Sequence, residues 1–152
     1  MSFFTVALFS AVLMSGALLS SADPDPLSAY RWKHRLLVLY VPDTESGRAT
    51  LRTFRASLDD RMEDVLERDL LVVPVGDLPR PDDVLRPAVD VGAPGRSHVR
   101  RRFDLQGREA QLLLIGKDGE MKARQSGGTL DLERVFELVD SMPMRQAEMQ
   151  RR

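Results

Sequence analysis

Three short apolar runs stand out in a chain that is otherwise polar or periodic. Leu36 to Val41 is apolar without interruption and is closed by Pro42, the form of a strand buried on both faces. Leu70 to Val75 has the same character, and so does Gln111 to Ile115 after its first residue. Between the first two runs, Leu51, Phe54, Leu58 and Met62 recur every three or four residues among arginines and aspartates. That spacing predicts one amphipathic helix packed on a sheet. Asp43, Thr44 and Ser46 stand where its N-cap belongs. Strand, helix and strand in this order predict a right-handed crossover joining parallel strands.

Beyond the second run, Gly76 to Gly95 carries Pro79, Pro81, Pro87 and Pro94 and reads as an irregular excursion, with room for a short helix near Asp82–Leu85. Ser97 to Phe103 predicts a short helix with Val99 and Phe103 inward. After the third run, Gly116-Lys117-Asp118-Gly119 is a hairpin turn, because glycine supplies a positive φ and aspartate closes the turn locally. Glu120 to Arg124 is then the returning antiparallel strand. Gly127-Gly128 breaks the chain, and Thr129 or Asp131 caps a last helix with Leu132, Val135, Phe136, Leu138 and Val139 on its inner side. Pro143 ends or kinks that helix. Met144 to Arg152 reads as a short polar tail that closes over the sheet edge or the core.

β-α-β, a variable connection, then β-β-α is the order of a thioredoxin-like domain: an α/β three-layer sandwich, with a mixed central sheet flanked by helices. Neither a repeat nor a second domain is visible. Phe3 to Leu19 is apolar apart from small and hydroxyl residues, and is followed by Ser20-Ser21-Ala22 and then Asp23-Pro24-Asp25-Pro26. This is the pattern of an export leader cleaved after Ala22, so residues 1–22 are expected to be a signal peptide and 23–152 a single domain, periplasmic or secreted. The run is short for a span, which needs about 20 residues, and no stable membrane anchor is expected once it is cleaved. An uncleaved signal anchor is the alternative.

Composition narrows the chemistry. There are 22 basic and 23 acidic residues, so no whole-molecule field draws the chain to nucleic acid. The cysteine count is 0, which rules out a thiolate nucleophile, a disulfide framework, a zinc–thiolate site and an iron–sulfur cluster. With 2 histidines, His34 and His98, no metal site is expected, and no cofactor motif is present.

Four segments together resemble one family: Arg31-Trp32; Glu67-Arg68-Asp69; Leu113-Leu114-Ile115-Gly116-Lys117-Asp118-Gly119; and Asp140-Ser141-Met142-Pro143-Met144-Arg145-Gln146. They are similar to the domain-of-unknown-function family numbered 4174. That resemblance implies a thioredoxin-like fold close to peroxiredoxins in shape. It also implies export, as single bacterial domains or inside secreted sushi-repeat and matrix proteins linked to cell adhesion. It implies no established reaction.

Four places can carry function. In thioredoxin-like enzymes the reactive cysteine sits where the first strand gives way to the first helix. Here that place holds Asp43, Thr44 and Ser46, a candidate pocket whose simpler reading is helix capping. Arg108-Glu109-Ala110 stands where those enzymes carry a proline before the third strand. The densest basic cluster, Arg96, His98, Arg100, Arg101 and Arg102, is a candidate anion-binding surface, or a solvated helix salted by nearby acids. His34 beside Trp32 is a pocket lining or a surface residue. Met142, Met144 and Met149 are a soft thioether trio able to hold copper(I), or a closing apolar lid. The function expected is a non-enzymatic binding or scaffold module whose partner is an envelope or extracellular protein or an anionic polymer. The alternatives are a cysteine-independent, peroxiredoxin-related enzyme and a periplasmic metal-handling protein.

Overall fold

The computed structural model describes residues 24–79 and 85–151. The expected leader, and Asp82–Val84 of the helix expected near Asp82–Leu85, lie outside the described residues. A 3-10 turn at Ser28–Tyr30 leads into β1 (Arg35–Tyr40), α1 (Glu45–Asp60), α2 (Met62–Glu67), β2 (Leu70–Pro74), α3 (Gly92–Arg102), β3 (Gln111–Ile115), β4 (Met121–Ser126), α4 (Leu132–Asp140) and α5 (Pro143–Gln150). The four strands form one sheet in the order β2-β1-β3-β4. β1 and β2 run parallel, with Leu37 opposite Val72 and Val38 opposite Val73. β3 lies antiparallel to β1 on its other side, and β4 antiparallel to β3. This is the sheet expected of a thioredoxin-like domain.

Alternation along the central strands builds two cores. Leu37, Leu39, Leu112 and Leu114 face α1, α2 and α4, meeting Leu51, Phe54, Leu58, Val65, Val135 and Phe136. Leu36, Val38, Tyr40, Leu113 and Ile115 face the opposite way, meeting Val99 of α3 together with Leu27 and Leu105. β1 is buried at every position, which explains why its sequence does not alternate: each face is covered by helix. Burial of each such Leu or Phe contributes about 1.5–3 kcal/mol, so the sheet is set by hydrophobic contact from both sides.

Four expectations need correction. The Leu51–Met62 stripe is not one helix. α1 stops at Arg61, whose φ of −114° and ψ of 25° leave the helical region, and Met62 opens α2. The helix expected over Ser97–Phe103 begins earlier, at Gly92, because Pro94 is tolerated in a first turn, where no intrahelical N–H donor is required. The returning strand is Met121–Ser126 rather than Glu120–Arg124, and a register shift beside Leu114 and Ile115 absorbs the difference. The tail after Pro143 is a helix. Pro143 occupies its first turn and Arg145 is its buried residue, so apolar periodicity does not reveal it.

The junction of β1 and α1 leaves no space at Gly47. A Cβ there would stand 2.1 Å from the Pro42 carbonyl oxygen, whereas one at Gly128 would meet nothing within 4 Å. Gly47→Ala is therefore expected to lower the unfolding free energy by about 1–3 kcal/mol, and Gly128→Ala to change it by less than about 1 kcal/mol. Urea denaturation of the two variants checks this contrast.

Candidate functional site

The position that bears sulfur in thioredoxin-like enzymes is built here from oxygen. Thr44 is the N-cap of α1, its hydroxyl accepting the Gly47 N–H at 3.0 Å. Asp43 is exposed and receives Arg48 Nη2 at 2.6 Å, and Ser46 is exposed on the first turn. Ala110, buried, precedes β3. The three residues of the candidate pocket thus occupy one helix terminus, with Thr44 committed to capping and Asp43 to an ion pair.

The basic cluster lies on α3. Arg96 pairs with Asp90 at 2.7 Å, Arg100 with Asp77 at 3.4 Å and Arg102 with Asp25 at 2.7 Å. Arg100 also lies over the Tyr40 ring at 5.0 Å, and Arg102 over Phe103 at 4.8 Å. His98 is half-buried, and Arg101 is exposed. α3 thus brings three of the five residues against separate acidic neighbours rather than toward one point.

The methionines diverge as well. Met142 packs against the α4-side core, while Met144 and Met149 are exposed and sit five residues apart on α5, about 140° around the helix. His34 stacks edge-on to Tyr30, with 6.5 Å between ring centroids, and its Nδ1 is buried without a hydrogen-bond partner.

A different cluster forms at the opposite end of the sheet, where β1 begins. It brings together the four segments that carry the family resemblance. Arg35 and Arg145, each 1% exposed, are its buried cations. Arg145 reaches Glu67 at 2.9 Å and Asp140 at 3.2 Å. Arg68 takes the other side of Asp140 at 2.6 Å and lies over the Phe136 ring at 4.6 Å. Arg35 donates to Glu148 at 3.3 Å and to the Arg68 carbonyl at 3.0 Å. Lys117, from the hairpin turn, joins Glu148 at 2.7 Å to Asp69 at 2.8 Å. The Lys117 carbonyl in turn accepts the Trp32 N–H at 2.7 Å. Trp32 is 69% exposed with φ of 64°, a backbone conformation that costs a non-glycine residue about 1–3 kcal/mol. Sequence reasoning missed this cluster. Its only signal was four charged segments, distant in sequence, inside one resemblance.

Burial would push the carboxyl groups of Glu148 and Asp140 up. The cations outweigh it: Lys117 and Arg35 hold Glu148 below the usual range, and Arg68 and Arg145 do the same for Asp140.

Two grooves border these elements. One, of about 490 Å³, lies between the hairpin and the α4–α5 corner, with Lys117, Leu138, Met142 and Met144 among its walls. The larger, of about 830 Å³, runs between β4 and α4 and includes Ala123, Gln125, Arg134, Val135 and Leu138. Among the described residues no helix is long and apolar enough to cross a membrane.

Sheet order, helical layers and the oxygen-only helix terminus define a thioredoxin-like domain without thiol chemistry. Solved structures of similar shape include peroxiredoxins. The reduced 2-Cys peroxiredoxin of Plasmodium vivax superposes with a TM-score of 0.57 at 10% identity, over 80% of this chain and 72% of that one. Thioredoxin peroxidase I of Plasmodium yoelii gives 0.54 at 14% identity, over 80% and 79%. The mitochondrial 2-Cys peroxiredoxin of Plasmodium falciparum gives 0.51 at 11%, over 76% and 79%. At such identities the likeness is one of fold. No curated protein matches in sequence. The sequence profile of the domain of unknown function DUF4174 matches residues 26–148, and the chain belongs to that family.

Because Glu148 is the shared counterion of Arg35 and Lys117, Glu148→Gln is expected to cost about 3 kcal/mol of stability at pH 7. A carboxyl with a depressed folded-state pKa stabilises above its unfolded value and loses that contribution as pH falls through the folded one. The gap between wild type and Glu148→Gln should therefore begin to narrow as pH falls below about 4. Chemical denaturation across pH 3–8 measures the gap.

Proposed function

We propose that this protein is an exported, non-enzymatic binding or scaffold module of the cell envelope or extracellular space, using a thioredoxin-like frame as its support. The observation that carries this reading is the β1–α1 junction. Two of the solved neighbours are named for two cysteines, and this chain has 0. The hydroxyl standing nearest the reactive position, Thr44 Oγ1, is occupied as the acceptor of the Gly47 N–H, and the carboxylate beside it is paired with Arg48. A nucleophile needs a neighbouring base or a depressed pKa, and Thr44 has neither among its hydrogen-bond partners. Fold likeness alone does not transfer peroxidase activity. Export is supported by the apolar run Phe3–Leu19 and the small residues before Asp23.

Two measurements test the reading. With a thiol reductant supplied, hydrogen peroxide should be consumed no faster than in a protein-free control, and turnover proportional to protein concentration would overturn the proposal. The tagged protein, recovered from its native compartment, should begin at Asp23 by intact mass and should carry a stoichiometric partner. Retention in the cytosol without any partner would contradict both export and binding.

A further inference from the structure

The two edges of the sheet are treated differently. β2 is covered by returning backbone: the Val72 N–H donates to the Pro87 carbonyl at 2.8 Å, and Val89 N–H donates back to Val72 at 2.9 Å. β4 has no such cover among the described residues. The Gly127 N–H donates to the Ala110 carbonyl at 3.0 Å, and hydrogen-bonded pairs alternate with non-bonded ones along an antiparallel ladder. With Gln111 opposite Ser126 and Leu113 opposite Arg124, the peptide groups of Arg124 and Ser126 therefore point outward. They border the groove of about 830 Å³ whose far wall is α4. An open strand edge and a facing helix wall are the two halves of a strand-addition site.

Side-chain alternation sets what fits. Ala123 packs toward α4, and Gln125 on the same side hydrogen-bonds Asp131, the α4 cap. Arg124 turns to the other face, where its guanidinium bonds the Phe103 carbonyl and Gln111. Neither Arg124 nor Arg134 is paired with a carboxylate among the described residues. We infer that β4 accepts an extended segment of a partner protein in which apolar residues facing Ala123 and Leu138 alternate with acidic residues facing Arg124. This deepens, and rests on, the reading of the domain as a binding module. A second copy of this chain is the poorer occupant. Pairing β4 with itself about a twofold axis sets the two Arg124 side chains directly or diagonally opposite each other, and like charges so placed repel.

The test uses a short capped peptide alternating valine with glutamate, its valine–lysine counterpart, and the purified protein. The glutamate peptide should bind at least about tenfold tighter than the lysine one. On binding, it should slow hydrogen exchange of the Arg124 and Ser126 amides while leaving the Glu45–Asp60 helix unchanged. Ser126→Pro removes one outward N–H at a place where an edge strand tolerates proline and should weaken binding about tenfold, the worth of one such bond. Ser126→Ala should bind as wild type, and Arg124→Ser should erase the preference for glutamate. Equal binding of both peptides, undiminished binding by a folded Ser126→Pro variant, or concentration-dependent protection of those amides without peptide would each overturn the inference. A partner captured from the native compartment that protects another surface would also overturn it, while leaving the binding-module reading intact.

Discussion

The carboxylate of Glu148 is where this fold is tied shut. β1 opens with an arginine whose side chain is 1% exposed, and a guanidinium removed from water is tolerated only with counterions and hydrogen-bond acceptors around it. Glu148 supplies that counterion from the last helix and shares it with Lys117 of the hairpin turn. One carboxylate therefore joins β1, the β3–β4 turn and α5. The second carboxylate of this kind, Asp140, is held between Arg68 and Arg145 and binds the end of α4 to the start of β2. These pairs need not add net stability over an apolar packing. What they impose is position: α5 has one seat on the end of the sheet.

That arrangement places the domain's polar investment at the pole opposite the one used by thioredoxin-like enzymes. β1 spans six residues, about 20 Å. The terminus of α1 lies beyond its last residue and the ionic cluster around its first. At the α1 end the chain has what a helix start requires, a hydroxyl cap and a paired carboxylate. At the other end it carries buried charge, an exposed tryptophan in a left-handed conformation and a hairpin turn over whose Gly119 the Arg31 side chain closes.

The strands and their order were legible because burial on both faces writes itself as uninterrupted apolar runs, and β1, β2 and β3 match those runs within a residue. α4 was legible for the same reason in helical period, with Asp131 as its cap. α5 was not. Its anchoring residue is Arg145, its seat is ionic, and a helix fixed by charge leaves no apolar stripe to read. The break at Arg61 was hidden because Met62 keeps the spacing of the preceding helix while belonging to the next. The candidate residues Asp43, Thr44 and Ser46 were correctly located on a helix start, but a sequence does not say whether a hydroxyl is free or spent. The ionic cluster depends on pairs such as Arg35 with Glu148, 113 positions apart, a distance at which charge patterning carries no information.

The edges of the sheet follow from the same economy of covering. The chain from Pro87 to Val89 returns to β2 and satisfies its outer backbone. Nothing among the described residues after β4 does the same, because the turn at Gly127-Gly128 carries the chain away to start α4. An open edge invites unwanted pairing, and natural sheets blunt it with charge and bulges. β4 has both: Lys122 and Arg124 in the strand, and a register shift at its start. Lys122 is held by Asp118 and Glu120, which leaves Arg124 as the strand's cation without a carboxylate partner among the described residues. That choice is directional: Arg124 repels its own counterpart in another β4 while attracting an acidic strand, so the feature that keeps the domain from pairing with itself also selects what is able to pair with it.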